Sequence, residues 1–138
     1  MSDIVLAGIT LPCDMYWSDE FTAWRVGQLQ RTSVTGALIV NESALQAGRP
    51  ITLETTKSGN PYVGAITLPV LQQLQALEEQ PRTVPMTLSM PAHNSGTRNF
   101  TVLFNRASGK ALEARPLLFA SPYLDSDRFA ITLRLIQV

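Results

Sequence analysis

Apolar residues alternating with polar ones, in tract after tract, constrain this chain more than any other feature of its sequence. Val84, Met86, Leu88 and Met90 are interleaved with Thr83, Pro85, Thr87 and Ser89. Phe129, Ile131, Leu133 and Leu135 are interleaved with Ala130, Thr132, Arg134 and Ile136. A period of two puts successive side chains on opposite faces of an extended chain, so each tract reads as a strand with one face in a core. Pro85, on the polar face, suggests an edge position because proline donates nothing to a ladder. Phe100, Val102 and Phe104 repeat the pattern before the turn-rich stretch Asn105 to Lys110, and apolar residues resume from Ala111 to Phe119. That order predicts a β-hairpin with Ser108-Gly109 at its tip. Val26 to Thr32, Val34 to Val40 and Pro50 to Thr55 are further strands, with Gly48-Arg49-Pro50 turning into the last.

One segment changes period. Between Leu68 and Gln80, Val70, Leu71, Leu74 and Leu77 recur at helical spacing among glutamines and glutamates. Thr67 stands at the N-cap, Pro69 is tolerated in the first turn, and Pro81 ends the helix. Strands, one helix and strands again, without βαβ alternation, predict a mainly β fold. The expected form is an antiparallel sandwich or barrel-like sheet with one packed helix over about 68–80. The 138 residues fit one domain, 1–138, in which 1–24 is the least regular part and reads as an irregular N-terminal arm.

Composition narrows the function classes. Hydrophobic residues form 45% of the chain and charged residues 16%, enough for a core and too little charge for a disordered chain. Eleven basic residues balance eleven acidic ones. A neutral chain has no general attraction to nucleic acid or anionic lipid, so neither is expected as a partner. Net charge near zero also fits a chain that tolerates neighbours, as an assembly subunit must. A single cysteine, Cys13, allows no intramolecular disulfide and no thiolate cluster. The first residues show no basic region ahead of a long apolar stretch, and no run reaches the length of a spanning helix. The expectation is a soluble protein made in a cytoplasm.

Catalytic patterns are not legible. His93 is the only histidine and lies in a polar stretch, 93–97, that reads as an exposed loop. Asp125-Ser126-Asp127 supplies only a fragment of a calcium loop and reads as a turn before the last strand. No phosphate-cradling glycine pattern occurs. Neither a cofactor nor a metal is expected, and no catalytic residue is assigned. Two distant carboxylates of a glycosidase remain open, with nothing in the sequence pointing to them. Tyr16, Trp17, Phe21 and Trp24, by contrast, crowd one short stretch. Such rings either face a partner, where aromatic residues are enriched, or plug one end of the sheet. Arg49 and Arg115, each beside a proline, are secondary candidates for partner contacts.

The order of these tracts resembles a family. Trp17-Ser18-Asp19-Glu20-Phe21, Arg31-Thr32, Gly36-Ala37-Leu38-Ile39-Val40 and Gly48-Arg49-Pro50-Ile51-Thr52-Leu53 come in turn. The Leu/Gln helix, Phe100 to Phe104, Ala114-Arg115-Pro116 and Leu133-Arg134-Leu135 follow. Over nearly the whole chain this is similar to small tail-tip or baseplate proteins of tailed bacteriophages, in particular the β domains of distal tail and tail-tip ring proteins. The resemblance implies a non-enzymatic virion protein, assembled in the host cytoplasm, that contacts other tail or baseplate proteins in a homo-oligomeric or ring assembly. The alternative from the residues alone is a carbohydrate- or ligand-binding β module, with a hydrolase third.

Overall fold

The structure, a computed structural model, describes residues 3–55, 64–81, 84–119 and 122–138. It is mainly β, with antiparallel sheets, and a single helix among the described residues; the main sheet does not close into a barrel. In chain order the strands are β1 (Ile4–Leu6), β2 (Ile9–Leu11), β3 (Tyr16–Trp17), β4 (Val26–Thr32), β5 (Leu38–Ala44), β6 (Pro50–Glu54) and β7 (Ile66–Thr67). Helix α1 (Leu68–Glu78) precedes β8 (Met86–Pro91), β9 (Thr97–Phe104), β10 (Leu112–Pro116) and β11 (Arg128–Gln137). Nine strands form the main sheet in the order β2-β1-β8-β9-β11-β6-β3, with β7 and β10 also paired to β11, while β4 and β5 form a separate two-stranded ribbon.

β11 organises the sheet. Burial alternates from Arg128 through Ile136, and Phe129, Ile131, Leu133 and Leu135 are all buried in the core. On one flank Thr132 to Ile136 pair with β6, and Arg128 and Phe129 pair with β7. On the other, Leu135 to Gln137 pair with β9, and Phe129 to Leu133 pair with β10. β9 and β10 therefore run the same way along one edge of β11 and do not pair with each other. The hairpin expected over 100–119 does not form. Its physical reason is local: Asn105 N donates to Arg134 O, and Arg134 N donates to Ala111 O, so residues 105–111 leave the ladder and rejoin it beside a single residue. Arg106 pins this excursion by donating to the Glu78 carbonyl oxygen at 2.6 Å, at the helix C-terminus where a cation is favoured. On the opposite edge the Thr55 hydroxyl accepts from Ile131 N at 2.9 Å and donates to Gly64 O at 3.3 Å, satisfying the backbone where β6 ends.

β8 lies between β1 and β9, an interior place, so the edge position suggested by Pro85 is corrected. Pro85 precedes the first strand residue, where its missing N–H costs the ladder nothing; Thr83 lies outside the described residues. The stretch expected to be an irregular arm lays three short strands into the sheet, and Ile4, Leu6, Leu11, Met15 and Trp17 are buried with the core. β1 and β2 turn through Ala7 and Gly8, both at positive φ, the geometry that matches strand twist in a two-residue hairpin.

The helix spans most of its expected range and buries Leu71 and Leu74. Thr67 occupies the N-cap with extended backbone but gives no side-chain hydrogen bond to it. The helix contacts β2, β7, β10 and β11, closing the core on the side of the sheet's apolar face. Leu133 is fully buried and paired on both flanks, to Leu53 and Leu112. Leu133→Ala is expected to cost about 3–5 kcal/mol, read as a lowered urea midpoint with unchanged slope.

Candidate interaction site at the root of the ribbon

The ribbon breaks the rule that the rest of the molecule obeys. Val26 to Thr32 pair with Ala44 to Leu38 in unbroken register. Yet every residue of β5 is exposed, and in β4 only Gly27 is even half-buried. Neither strand pairs with the main sheet. Directly opposed residues share a face, so one face carries Val26, Leu38 and Val40, and the other carries Leu29, Ile39 and Leu45. Both are in solvent: Leu29 is 60% and Leu38 65% exposed. The strand expected over Val34 to Val40 is displaced to Leu38–Ala44, because residues 33–37 form the tip, with Gly36 at φ +87° and Ser33 N donating to Ala37 O. Val34 stands wholly in solvent at that tip.

The segment 18–25 that leads into β4 is fastened to the body by two carboxylates. Asp19 accepts from Trp17 Nε1 at 2.6 Å and from Thr52 N and Oγ1, both at 3.0 Å. Glu20 accepts from Arg98 Nη1 at 2.7 Å and is hydrogen-bonded to His93 Nε2. Arg49 Nη2 in turn donates to the Glu20 carbonyl oxygen at 2.8 Å. Two cations lie over the Trp17 ring, Arg49 at 4.7 Å and Arg98 at 5.4 Å from its centroid, and Phe100 meets it edge-on at 5.6 Å. Phe21 stacks on the His93 ring at 5.7 Å while remaining 87% exposed.

Burial alone would raise the Glu20 carboxyl. The hydrogen bonds from Arg98 and His93, with the charges behind them, outweigh burial and hold it below its ordinary value of 4.5.

Of the residues singled out from the sequence, Trp17, Phe21, Trp24 and Arg49 come together here. Phe21, Trp24 and Arg49 line one cleft with Glu20 and Arg25, and Phe21 and Arg49 line a second with Arg25, Arg98, Asn99 and Phe100. Trp17 is corrected from partner contact to core residue: it is only 4% exposed, because its indole fills the space beside Phe100 and its N–H is spent on Asp19. Tyr16, its neighbour in β3, is exposed. Arg115 is exposed on β10, whose partner is the opposite end of β11, apart from the cluster. His93, read as an exposed loop histidine, is exposed in the loop between β8 and β9, and its ring is also tied to Glu20 across 73 residues of sequence, a separation that no spacing argument could bridge. Glu20 and Thr52 stood in the sequence only as members of the tracts 17–21 and 48–53, with no role assigned to either, and Arg98 was not singled out. Among the described residues, no three of His, Cys, Asp and Glu gather as ligands for a metal ion.

Comparison with protein-family models, with curated proteins and with solved structures gives no match to this chain.

Trp17→Ala is expected to lower stability by about 3–5 kcal/mol in chemical denaturation, as a buried ring does, rather than to act only on association. Glu20 supplies a pH-dependent term. Its depressed carboxyl contributes stability above the unfolded-state value, and that contribution is lost as pH falls from about 4.5 through the folded-state value. Glu20→Gln should therefore flatten the acid limb of stability against pH; an unchanged acid limb in the variant would remove Glu20 from that role.

Proposed function

We propose that this chain is a non-enzymatic structural subunit that assembles with other proteins through the β4–β5 ribbon and the cluster at its root. The setting suggested by the tract order is the tail tip or baseplate of a tailed bacteriophage. The observation that carries the assembly reading is the ribbon itself. Two strands alone are marginally stable in water, and this pair presents aliphatic side chains on both faces, with neither outer edge paired among the described residues. A partner that covers a face or adds a strand to an edge would remove that apolar surface from water and satisfy the edge. The root cluster supports the same reading. Asp19 and Glu20 fix the direction in which the ribbon leaves the body, so the ordering cost of presenting it is met before a partner arrives.

A second reading, a ligand-binding β module, draws on the exposed Phe21 and half-buried Trp24 beside Arg25 and Arg49 in one cleft. The two readings separate on absolute mass measured by light scattering across a concentration series. A subunit grows into a discrete oligomer, or does so once extracts of tail proteins are added, and the doubly substituted Leu29→Asp, Leu38→Asp chain stays monomeric with an unaltered thermal midpoint. A chain that remains monomeric in both settings, and binds a glycan on an array, overturns the assembly reading in favour of the second.

A further inference from the structure

We infer that the cleft between the ribbon root and the β8–β9 hairpin is a docking site for an acidic peptide segment of the partner. The inference rests on the assembly reading for its setting, and on the charges of the cleft for its chemistry. Three guanidinium groups, those of Arg25, Arg49 and Arg98, line the two adjoining clefts, against one carboxylate, Glu20. That carboxylate is already shared between Arg98 and His93. Arg49 uses one nitrogen, Nη2, on the Glu20 carbonyl oxygen. Arg25 makes no side-chain hydrogen bond or ion pair among the described residues. The cleft thus holds more donors and more positive charge than its own acceptors satisfy. Guanidinium groups match planar, two-oxygen acceptors, and a carboxylate meets them with paired hydrogen bonds.

The walls favour a peptide over a free ion. Phe21 and Trp24 border the first cleft and Phe21 and Phe100 the second, and a small inorganic anion has no use for aromatic rings. A segment alternating carboxylates with apolar side chains can satisfy both, with arginine and aromatic residues as its anchors. The cleft also begins where the ribbon leaves the body, since Arg25 directly precedes β4. One partner can therefore lie across both surfaces.

The test uses the full chain and a fluorescein-labelled Glu-Glu-Phe-Glu-Glu-Phe peptide, beside its counterpart with glutamine for every glutamate, followed by anisotropy at low ionic strength. The acidic peptide should bind about tenfold tighter than the glutamine peptide, the ratio expected when a charge-assisted pair replaces a neutral one. Arg25→Gln should remove most of that ratio without changing the thermal midpoint, because Arg25 is exposed and holds nothing in place. Arg115→Gln, on β10, should leave it intact. Equal binding of the two peptides, or equal loss in Arg115→Gln, overturns the proposal. So does displacement of the peptide by inorganic phosphate at matching concentration, which would make the site an ion site, or tighter binding of a single-stranded oligonucleotide. Failure here is distinguishable from failure of the assembly reading. If the ribbon variant abolishes association while the two peptides bind equally, the cleft proposal alone falls. If the peptide preference depends on Arg25 in a chain that never associates, the cleft proposal stands and the assembly reading falls.

Discussion

Backbone hydrogen bonds along β11 hold together pieces of chain that could not form a sheet by themselves. β1, β2, β3 and β7 are two or three residues long, well short of an independently stable strand. They persist because β11, with β6, β8 and β9, offers paired edges and one shared apolar face against which short segments can dock. The requirement that every buried N–H and C=O find a partner explains two details of that arrangement. Thr55 turns its hydroxyl to Ile131 N where β6 gives out, and Arg134 receives both ends of the excursion between β9 and β10. Remove the alternation of β11 and neither repair has anything to close.

The ribbon and the body share a sequence style and differ in what covers them. Leu29, Leu38, Ile39 and Val40 are the residue types that fill the core elsewhere, yet they are exposed, and no element among the described residues packs over them. What keeps the ribbon in a defined relation to the body is polar: Asp19 gathers Trp17 and Thr52, and Glu20 gathers Arg98 and His93. Such pairs add little stability when exposed and more when partly shielded. Their contribution here is geometric, since each links segment 18–25 to a different strand or loop of the main sheet. The aromatic stretch consequently divides. Trp17 belongs to the core and Phe21 to the surface, four residues apart, with the two carboxylate ties between them.

Much of the fold was legible because period two is a local signal. β4, β6, β8, β11 and the helix could be placed within a few residues from alternation and spacing. The misreadings came where local pattern and long-range pairing part company. Asn105 to Lys110 carries the residues of a hairpin tip, yet the strands flanking it were both claimed by β11, a choice that depends on residues far along the chain. Val34 looked like a strand residue because it is β-branched and apolar, while Gly36 two positions on set the turn that put it at the tip. The N-terminal segment had too few residues per strand to show a period. At the site, single aromatic residues could be noticed, but Glu20, His93 and Arg98 come from three separate parts of the sequence. Only tertiary structure brings them within hydrogen-bonding distance.

The excursion between β9 and β10 has a consequence for how this chain can vary. Because its two ends meet at one residue of β11, the number of residues it contains is decoupled from strand register. Lengthening it leaves the alternation of β9, β10 and β11 in phase, so no side chain changes face. The entropic cost of a longer closed loop rises only with the logarithm of its length, about 0.6 kcal/mol per doubling. Gly109, at positive φ, and the exposed residues on either side of it lie at the outer part of this excursion. A foreign segment spliced in there would be carried on the outside of the sheet by a scaffold that does not need to know its length.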